Sequence, residues 1–162
     1  MVSGKLTTFY QIKECFRSEP YLSVLNSDQR NFITKFRISA HQLCIETGHY
    51  ERKKNQAGKI SILEREERVC LYCNLSKVED ESHFLLECPL YNHERSNFFN
   101  EIGSICDFFL SLNNHDKFYW ILNNEDYKIL SISSIFLKTC LFEKTIWCTI
   151  DYKYKQYCIV SV

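Results

Sequence analysis

The sequence predicts a mainly α-helical fold into which one small loop rich in cysteine and histidine is inserted. Apolar residues make up 45% of the 162 residues and aromatic residues 15%, which is enough to build a hydrophobic core. The chain holds only four glycines and two prolines, and so few chain-breaking residues favour helices over a turn-rich β fold. Outside the loop, apolar side chains recur at helical spacing.

The first sixty residues predict two helices followed by a linker. Residues 5–17 predict a short amphipathic helix that ends before Pro20, because proline disfavours helical backbone in the residue before it. Residues 26–50 predict the clearest helix of the chain, which Gly48 is placed to end. Three neighbouring residues can cap its N-terminus: Asn26, Ser27 and Asp28. Residues 51–62 are polar and basic, and they predict a flexible linker.

Two further helical segments follow the Cys/His loop. Residues 88–109 predict a helix with Pro89 in its first turn, where proline is well tolerated. Residues 113–148 predict a short helix, a break at residues 123–124, and a longer buried helix after it. The last stretch, residues 150–162, alternates weakly between apolar and polar, and it predicts either a strand or a loose tail.

Composition and charge divide the chain into four parts. The formal net charge is zero, but residues 1–60 hold ten Lys and Arg against five Asp and Glu, whereas residues 61–101 hold four against nine. A basic part beside an acidic part permits a surface that faces nucleic acid. We expect an N-terminal helical part with the basic helix at 1–50, a basic linker and approach at 51–68, the Cys/His region at 69–98, and aromatic-rich helices with a tail at 99–162.

The Cys/His loop has the spacing of a metal site. Cys70 and Cys73 form a Cys-x2-Cys pair, and His83 with Cys88 forms a second pair nine residues later. Four sulfur and nitrogen ligands fill the tetrahedral shell that Zn²⁺ prefers and leave no position for water, so the site would be structural and zinc-knuckle-like, with one ion. His93 is a competing fourth ligand, because it follows Cys88 at a usable spacing.

An alternative interpretation treats these residues as buried cysteines and a core histidine. The chain holds nine cysteines, and cysteine is among the residues most often buried. Nine cysteines without a visible export signal indicate a reducing compartment. We therefore expect an intracellular protein, nuclear or cytoplasmic, that is neither secreted nor embedded in a membrane.

An acidic run at residues 78–82 separates the two ligand pairs. We expect it to be a solvated loop in which Ser82 or Asp80 caps the short helix that carries His83. Three thiolates and a neutral histidine around Zn²⁺ would carry a net charge of about −1. Nucleic acid, if bound, is therefore expected elsewhere on the protein.

Two stretches carry a resemblance to a known family. "KFRISAHQLCIETGHY" and "EERVCLYCN…VEDESHFLLECPLYNHER" resemble the C-terminal zinc-binding region that follows the reverse transcriptase of many non-long-terminal-repeat retrotransposons of animals. The correspondence covers residues 5–145 and is specific from Lys35 to Arg95. The resemblance implies four metal ligands, an acidic signature and two flanking arginines: Cys70, Cys73, His83 and Cys88; Glu79, Asp80 and Glu81; Arg68 and Arg95.

The chain departs from that family in two respects. His49 stands where the family pattern more often has arginine, which weakens a phosphate contact at this position. The Tyr-x-Asp-Asp and Phe-x-Asp-Asp sequences that hold the two metal ions of a polymerase are missing, as are the acidic residues of a restriction-like nuclease. The chain therefore resembles the zinc-binding region as a stand-alone fragment without the polymerase.

These features predict a non-enzymatic, zinc-stabilised module that binds RNA or DNA. Basic side chains neutralise phosphates and make binding fall with salt. The candidate contacts are Arg30, Lys35, Arg37, Arg52, Lys53, Lys54, Lys59, Arg68 and Arg95. Tyr50 and Tyr72 could stack on unpaired bases, although packing against the core is the better interpretation for Tyr72.

A second hypothesis is a structural or protein-interaction module. Residues 108–123 are rich in aromatic side chains, which could dock on a reverse transcriptase or another protein. An enzyme is the weakest interpretation, because no nucleophile motif surrounds any serine or cysteine. His41 and Cys44 lie three residues apart in the predicted helix, a spacing that coincidence explains.

Overall fold

The computed structural model describes residues 7–13, 18–54, 58 and 60–159. The helices are α1 (Thr7–Ile12), α2 (Tyr21–Val24), α3 (Ser27–Arg37), α4 (Cys44–Thr47), α5 (Asn92–Ile105), α6 (Asn114–Asn123) and α7 (Tyr127–Ile159). Two short strands, β1 (Arg52–Lys54) and β2 (Ile60–Ile62), form the one sheet of these residues, and shorter helical turns cover Arg65–Glu67, His83–Glu87, Pro89–Tyr91 and Asp107–Ser111. The predicted mainly α fold with a Cys/His loop between helices is confirmed.

The segment predicted as one helix over 26–50 is two helices. Asn26 caps α3: its side chain accepts a hydrogen bond from the Gln29 backbone N–H at 3.0 Å, and the Gln29 side chain accepts from the Asn26 N–H. The helix ends at Arg37, and Ser39 adopts a left-handed backbone with φ of 54°. This costs free energy for a residue with a Cβ. The Ser39 hydroxyl offsets that cost by donating to the buried carboxylate of Glu81.

The predicted flexible linker contains a β-hairpin. β1 and β2 pair antiparallel, with Arg52 opposite Ile62 and Lys54 opposite Ile60. Arg68 anchors the base of this hairpin, because its guanidinium donates two hydrogen bonds to the carbonyl of Leu63. A third bond from the same guanidinium reaches the carbonyl of Ile45 in α4. The described ends of the linker, Arg52–Lys54 and Ile60–Ile62, are therefore paired with each other and anchored to α4.

Gly48 ends α4 as predicted, and its missing side chain leaves room for Arg68. A Cβ at this position would lie 2.8 Å from Cγ of Arg68 and 2.7 Å from the carbonyl oxygen of Cys44. Arg68 cannot move away without losing its hydrogen bonds to two carbonyls.

We expect Gly48→Ala to lower the free energy of unfolding by about 1–3 kcal/mol, the usual cost of overpacking. Urea unfolding followed by circular dichroism measures this change. His49→Ala at the exposed neighbouring position is the matched control. Equal stability of the Gly48 and His49 variants would contradict the close packing of Arg68 against Gly48.

The C-terminal half agrees with the predicted elements except at its end. Pro89 begins the helical turn that leads into α5, and α6 ends at Asn123. Asp126 then caps α7, because its carboxylate accepts from the backbone N–H groups of Lys128 and Ile129. The prediction of a strand or loose tail at 150–162 is wrong for residues 150–159, whose backbone continues α7.

The hydrophobic core joins the Cys/His loop to the helices. Phe84 from the loop lies at its centre, with ring centroids 5.7 Å from Phe36 of α3, 4.8 Å from Tyr91 and 6.2 Å from Phe136 of α7. Phe136 stacks on Phe98 of α5 at 4.6 Å. The loop is therefore part of the same core as the helices around it. Among the described helices, none is both long and apolar enough to cross a lipid bilayer.

Candidate metal centre

A short antiparallel bridge positions the first pair of candidate ligands. Val69 pairs with Val78, and the Cys70 N–H donates to the carbonyl of Lys77 at 2.8 Å. The chain between them turns back on itself, so that Cys70 is buried and Cys73 is half-buried against the core. Both sulfurs are presented from one side of this turn toward the helical turn that follows.

A wide helical turn presents the second pair. The carboxylate of Asp80 accepts from the His83 backbone N–H at 2.9 Å, which confirms Asp80 as the capping residue. His83–Glu87 then forms a π-helical turn, in which the Cys88 N–H donates to the His83 carbonyl at 2.8 Å. Residues five apart face the same side of such a turn. His83 and Cys88 therefore point toward the same space.

The four side chains converge on one point. The sulfurs of Cys70 and Cys88 are 3.9 Å apart, and the Cys73 sulfur is 3.5 Å from Nε2 of His83. All four donor atoms lie within 4.8 Å of one another. A tetrahedral zinc ion would separate two sulfurs by about 3.8 Å and a sulfur and nitrogen by about 3.6 Å. The cluster could therefore hold a metal ion, and its donors fit zinc.

His93 is not part of this cluster. Its ring is exposed on α5, and Nε2 lies 3.4 Å from the side-chain nitrogen of Asn97. The structure thus brings His83, and not the competing histidine, to the three thiols.

The pKa values of the three candidate thiol ligands are shifted by their surroundings. The hydrogen bond between the Cys70 and Cys88 sulfurs raises the pKa of Cys70 to about 12 and lowers the pKa of Cys88. Burial raises the pKa of Cys73. A bound divalent ion lowers the pKa of a coordinating thiol, because its positive charge stabilises the thiolate. Cys70 and Cys73, whose pKa values are raised, therefore stay protonated at neutral pH unless such a cation binds them.

The second nitrogen of the His83 ring is directed at a carboxylate. Nδ1 is buried without a hydrogen-bond partner in the described part of the chain, and Oε2 of Glu87 lies 3.7 Å from it. That carboxylate is held by Lys77 at 2.8 Å. Metal-binding histidines commonly turn the distal nitrogen toward such a group, which orients the ring. His83 has this arrangement, with Nε2 toward the thiols.

The acidic run between the ligand pairs is not the solvated loop that the sequence predicted. Glu79 and Glu81 are buried, with exposures of 1% and 5%. Glu81 accepts from the hydroxyl of Ser39 and lies 3.0 Å from Nε2 of His41. Glu79 accepts from the Cys44 backbone N–H at 2.7 Å. These two carboxylates fasten the loop to the segment between α3 and α4.

Three of the predicted nucleic-acid contacts bond within the protein: two are buried and one, Arg68, is half-buried. Arg37 is buried, its guanidinium 2.8 Å from the carboxylate of Glu19. Arg95 is buried as well and donates to the carbonyls of Phe84, Leu85 and Cys88. Arg68 is held by the hairpin base and α4. All three guanidinium groups bond to other parts of the protein, and the burial of Arg37 and Arg95 keeps them away from phosphate.

The other predicted cations differ in their surroundings. Lys35, Arg52 and Lys54 are exposed, whereas Arg30 is half-buried and donates to the carbonyl of Leu22. Lys53 forms an ion pair with Glu67, and Lys59 lies outside the described residues. Arg30 and Arg37 lie seven residues apart in α3, but they do not form a common basic surface because Arg37 is buried.

Several other predicted residues are placed by the structure. Tyr50 is 68% exposed, while Tyr72 packs against the core as expected. His41 and Cys44 are not on one helix, because α4 begins at Cys44.

Lys144 is a site residue that the sequence analysis missed. It is buried and forms an ion pair with Glu79 beside the cluster. Its spacing could have indicated that it is buried: Lys144 lies four residues after Cys140 and seven after Leu137, both of which are buried in the same helix.

Comparisons of the chain with protein families, with curated proteins and with solved structures find no match.

Proposed function

We propose that the chain is a non-enzymatic module whose fold is stabilised by one structural Zn²⁺ held by Cys70, Cys73, His83 and Cys88. The observation that carries this proposal is the pair of separations, 3.9 Å between two sulfurs and 3.5 Å from sulfur to nitrogen, which match the edges of a zinc tetrahedron. Four protein ligands leave no open position for water or substrate, as in structural rather than catalytic zinc sites. Bound there, zinc would cross-link the β-bridge turn to the π-helical turn.

We further propose that the module binds RNA or DNA through one face of the hairpin. Side chains of directly paired residues point to the same side of a two-stranded sheet. Arg52 and Lys54 of β1 therefore share a side with Ile62 and Ile60 of β2, and all four are exposed. We call these four residues the hairpin face. Its cations can neutralise phosphates, and its isoleucines offer apolar contacts to bases.

The surroundings of the hairpin support this orientation. Lys53 points to the opposite side, where it pairs with Glu67. Tyr50 is exposed just before β1 and offers an aromatic ring for stacking. The carboxylate of Glu67 thus lies on the opposite side of the hairpin from Arg52 and Lys54, and the hairpin face keeps its positive charge.

The same proposal includes descent from the zinc-binding region of a non-long-terminal-repeat retrotransposon protein. The quoted motifs support it, since each of their unusual residues has a local physical role. Arg68 joins the hairpin base to α4, and Arg95 caps the turn between the last two ligands. On this proposal a reverse transcriptase is a natural protein partner.

The test of nucleic-acid binding reverses the charge of the hairpin face. We expect Arg52→Glu combined with Lys54→Glu to weaken binding at least about tenfold and to lower the salt dependence, since each phosphate contact contributes about 0.7–0.9 to its slope. Fluorescence anisotropy with a labelled single-stranded RNA and a duplex DNA, from 50 to 200 mM salt, is the measurement. Lys128→Glu combined with Lys138→Glu is the control, because it changes the charge equally at exposed positions of α7.

Two results would contradict the proposal. One is the absence of binding to either nucleic acid at the lowest salt concentration. The other is an equal loss in the hairpin variant and in the α7 control, which would mean that binding depends on overall charge and not on the hairpin face.

A second candidate function is favoured by α7. Ile135, Phe142 and Ile146 are exposed, and their spacings of seven and four residues place them on one side of this helix. Phe142 is 66% exposed. Such a stripe suits contact with another protein. A chain that binds no nucleic acid but co-purifies with a reverse transcriptase, and loses it on Phe142→Asp, would favour this function.

A further inference from the structure

A buried ion pair lies directly behind the metal cluster. Lys144 of α7 and Glu79 of the loop are exposed by only 2% and 1%, and their charged groups are in contact. The two residues are 65 positions apart in sequence. Burying a lysine and a glutamate costs free energy that an equally large apolar pair would avoid. A role beyond filling space would account for an ion pair at this buried position.

The position of Glu79 beside a candidate metal ligand indicates what that role is. Its Oε1 lies 3.7 Å from the sulfur of Cys70, and its Oε2 accepts the backbone N–H of Cys44. The carboxylate is therefore fixed next to a candidate metal ligand. Lys144 contacts the same oxygen, Oε2, and its ammonium group lies over the ring of Tyr72, 5.2 Å from the ring centroid.

The charges explain why a cation is needed there. Zn²⁺ with three thiolates and a neutral histidine carries a net charge of about −1. Glu79 adds a second negative charge 3.7 Å from one of those ligands. In a buried place the repulsion between them is poorly screened. An unpaired carboxylate at this distance would oppose metal binding, whereas a paired one would not.

We propose that Lys144 is a positioning residue of the metal centre, which neutralises Glu79 and so couples the docking of α7 to metal binding. This inference rests on the proposed zinc site. Removing Lys144 leaves a buried negative charge beside the bound metal. Metal binding and the seating of this part of α7 therefore favour each other, as linked equilibria must.

A merely structural role makes a different prediction. If the pair only holds α7 in place, Lys144→Met and Glu79→Gln both destabilise the fold, and metal affinity falls in both or in neither. If the charges act on the metal, Lys144→Met weakens metal binding and Glu79→Gln does not. The double variant, which removes both charges, then returns toward the wild-type affinity.

The test is a titration of the full chain with Co²⁺, followed by competition with Zn²⁺. We expect Lys144→Met to bind at least about tenfold more weakly, Glu79→Gln to bind as tightly as wild type or more tightly, and the double variant to recover most of the loss. The absorption bands of tetrahedral Co²⁺ should be unchanged in all of them, since the four ligands remain. Lys138→Met, an exposed lysine of the same helix, is the matched control.

Hydrogen exchange gives a second readout. Zinc is expected to increase the protection of amides around Lys144 in the wild-type protein, and this increase should be smaller in Lys144→Met. A wild-type protein that binds neither metal overturns the zinc site itself. A wild-type protein that binds, with Glu79→Gln weakened as much as Lys144→Met or with neither changed, overturns only the role of the pair. Since Glu79→Gln keeps the acceptor for Cys44, it tests the inference even where Lys144→Met fails to fold.

Discussion

Removal of the metal with a strong chelator is expected to abolish the cooperative thermal unfolding transition of the protein, and added zinc is expected to restore it. Three of the four ligands are buried, and Phe84, which follows His83 directly, lies at the centre of the core. The binding free energy of a structural zinc site is about 10–16 kcal/mol. This is as large as the whole stability of a typical domain, about 5–15 kcal/mol. We therefore expect the loop to lose its place in the core when the ion is removed.

Cys73→Ser is the matching substitution, because it removes one ligand and leaves the buried ones intact. We expect metal content to fall from about one ion per chain and the melting temperature to fall steeply. Metal analysis and scanning calorimetry measure the two quantities. Cys106→Ser is the control, since this half-buried cysteine is free and lies outside the cluster. A wild-type protein that unfolds at the same temperature with and without chelator would rule out a structural metal.

Arg95→Met is expected to produce the second large effect, a loss of several kcal/mol of unfolding free energy. The guanidinium of Arg95 donates to three buried carbonyls, at 3.3 Å from Phe84, 3.0 Å from Leu85 and 2.7 Å from Cys88. Each buried acceptor left without a partner costs about 1–3 kcal/mol. The Cys88 carbonyl keeps the Tyr91 N–H at 3.2 Å, so the loss falls on the carbonyls of Phe84 and Leu85. Water cannot readily replace the donor, because Arg95 is itself buried.

The reason for this arrangement lies in the π-helical turn. Its backbone bonds join residues five apart, as the bond from Cys88 to His83 shows. The carbonyl of Phe84 would need an N–H from residue 89, but Pro89 has none. Arg95, one turn into α5, supplies the missing donor. It thereby holds the chain between His83 and Cys88 in the shape that points both side chains at the candidate metal position.

Urea unfolding of Arg95→Met and Arg95→Lys tests this role. The lysine variant should recover little, because an ammonium group cannot span three carbonyls as a planar guanidinium does. Arg65→Met is the control, since Arg65 is exposed and forms a long ion pair, 3.8 Å, with Asp80 at the surface. We also expect weaker zinc binding in Arg95→Met. Stability equal to that of the Arg65 variant would show that the three hydrogen bonds contribute little.

Local features of the structure were accessible from the sequence. The spacing of Cys70, Cys73, His83 and Cys88 identified a cluster whose donor atoms do converge. Asn26 and Pro89 mark helix starts through their own backbone chemistry. Such signals act over a few residues, so they need no knowledge of distant parts of the chain.

Features that depend on distant partners were not accessible. The helix predicted over 26–50 breaks because Ser39 and His41 bind Glu81, about forty residues later. The hairpin forms where Arg68 can hold its base against α4. Neither partner is visible from the local pattern.

The sequence by itself determined the helical class and the metal-ligand spacing, because both follow from residue types at short, regular intervals. Only the tertiary structure decided which charges are buried. A basic or acidic residue looks the same in sequence whether it faces water or a partner. Arg95, Glu79 and Lys144 are internal because folding brings to each a carbonyl or an opposite charge from another part of the chain, which repays their desolvation. Arg52 and Lys54 meet no such partner in the described structure, and they remain at the surface.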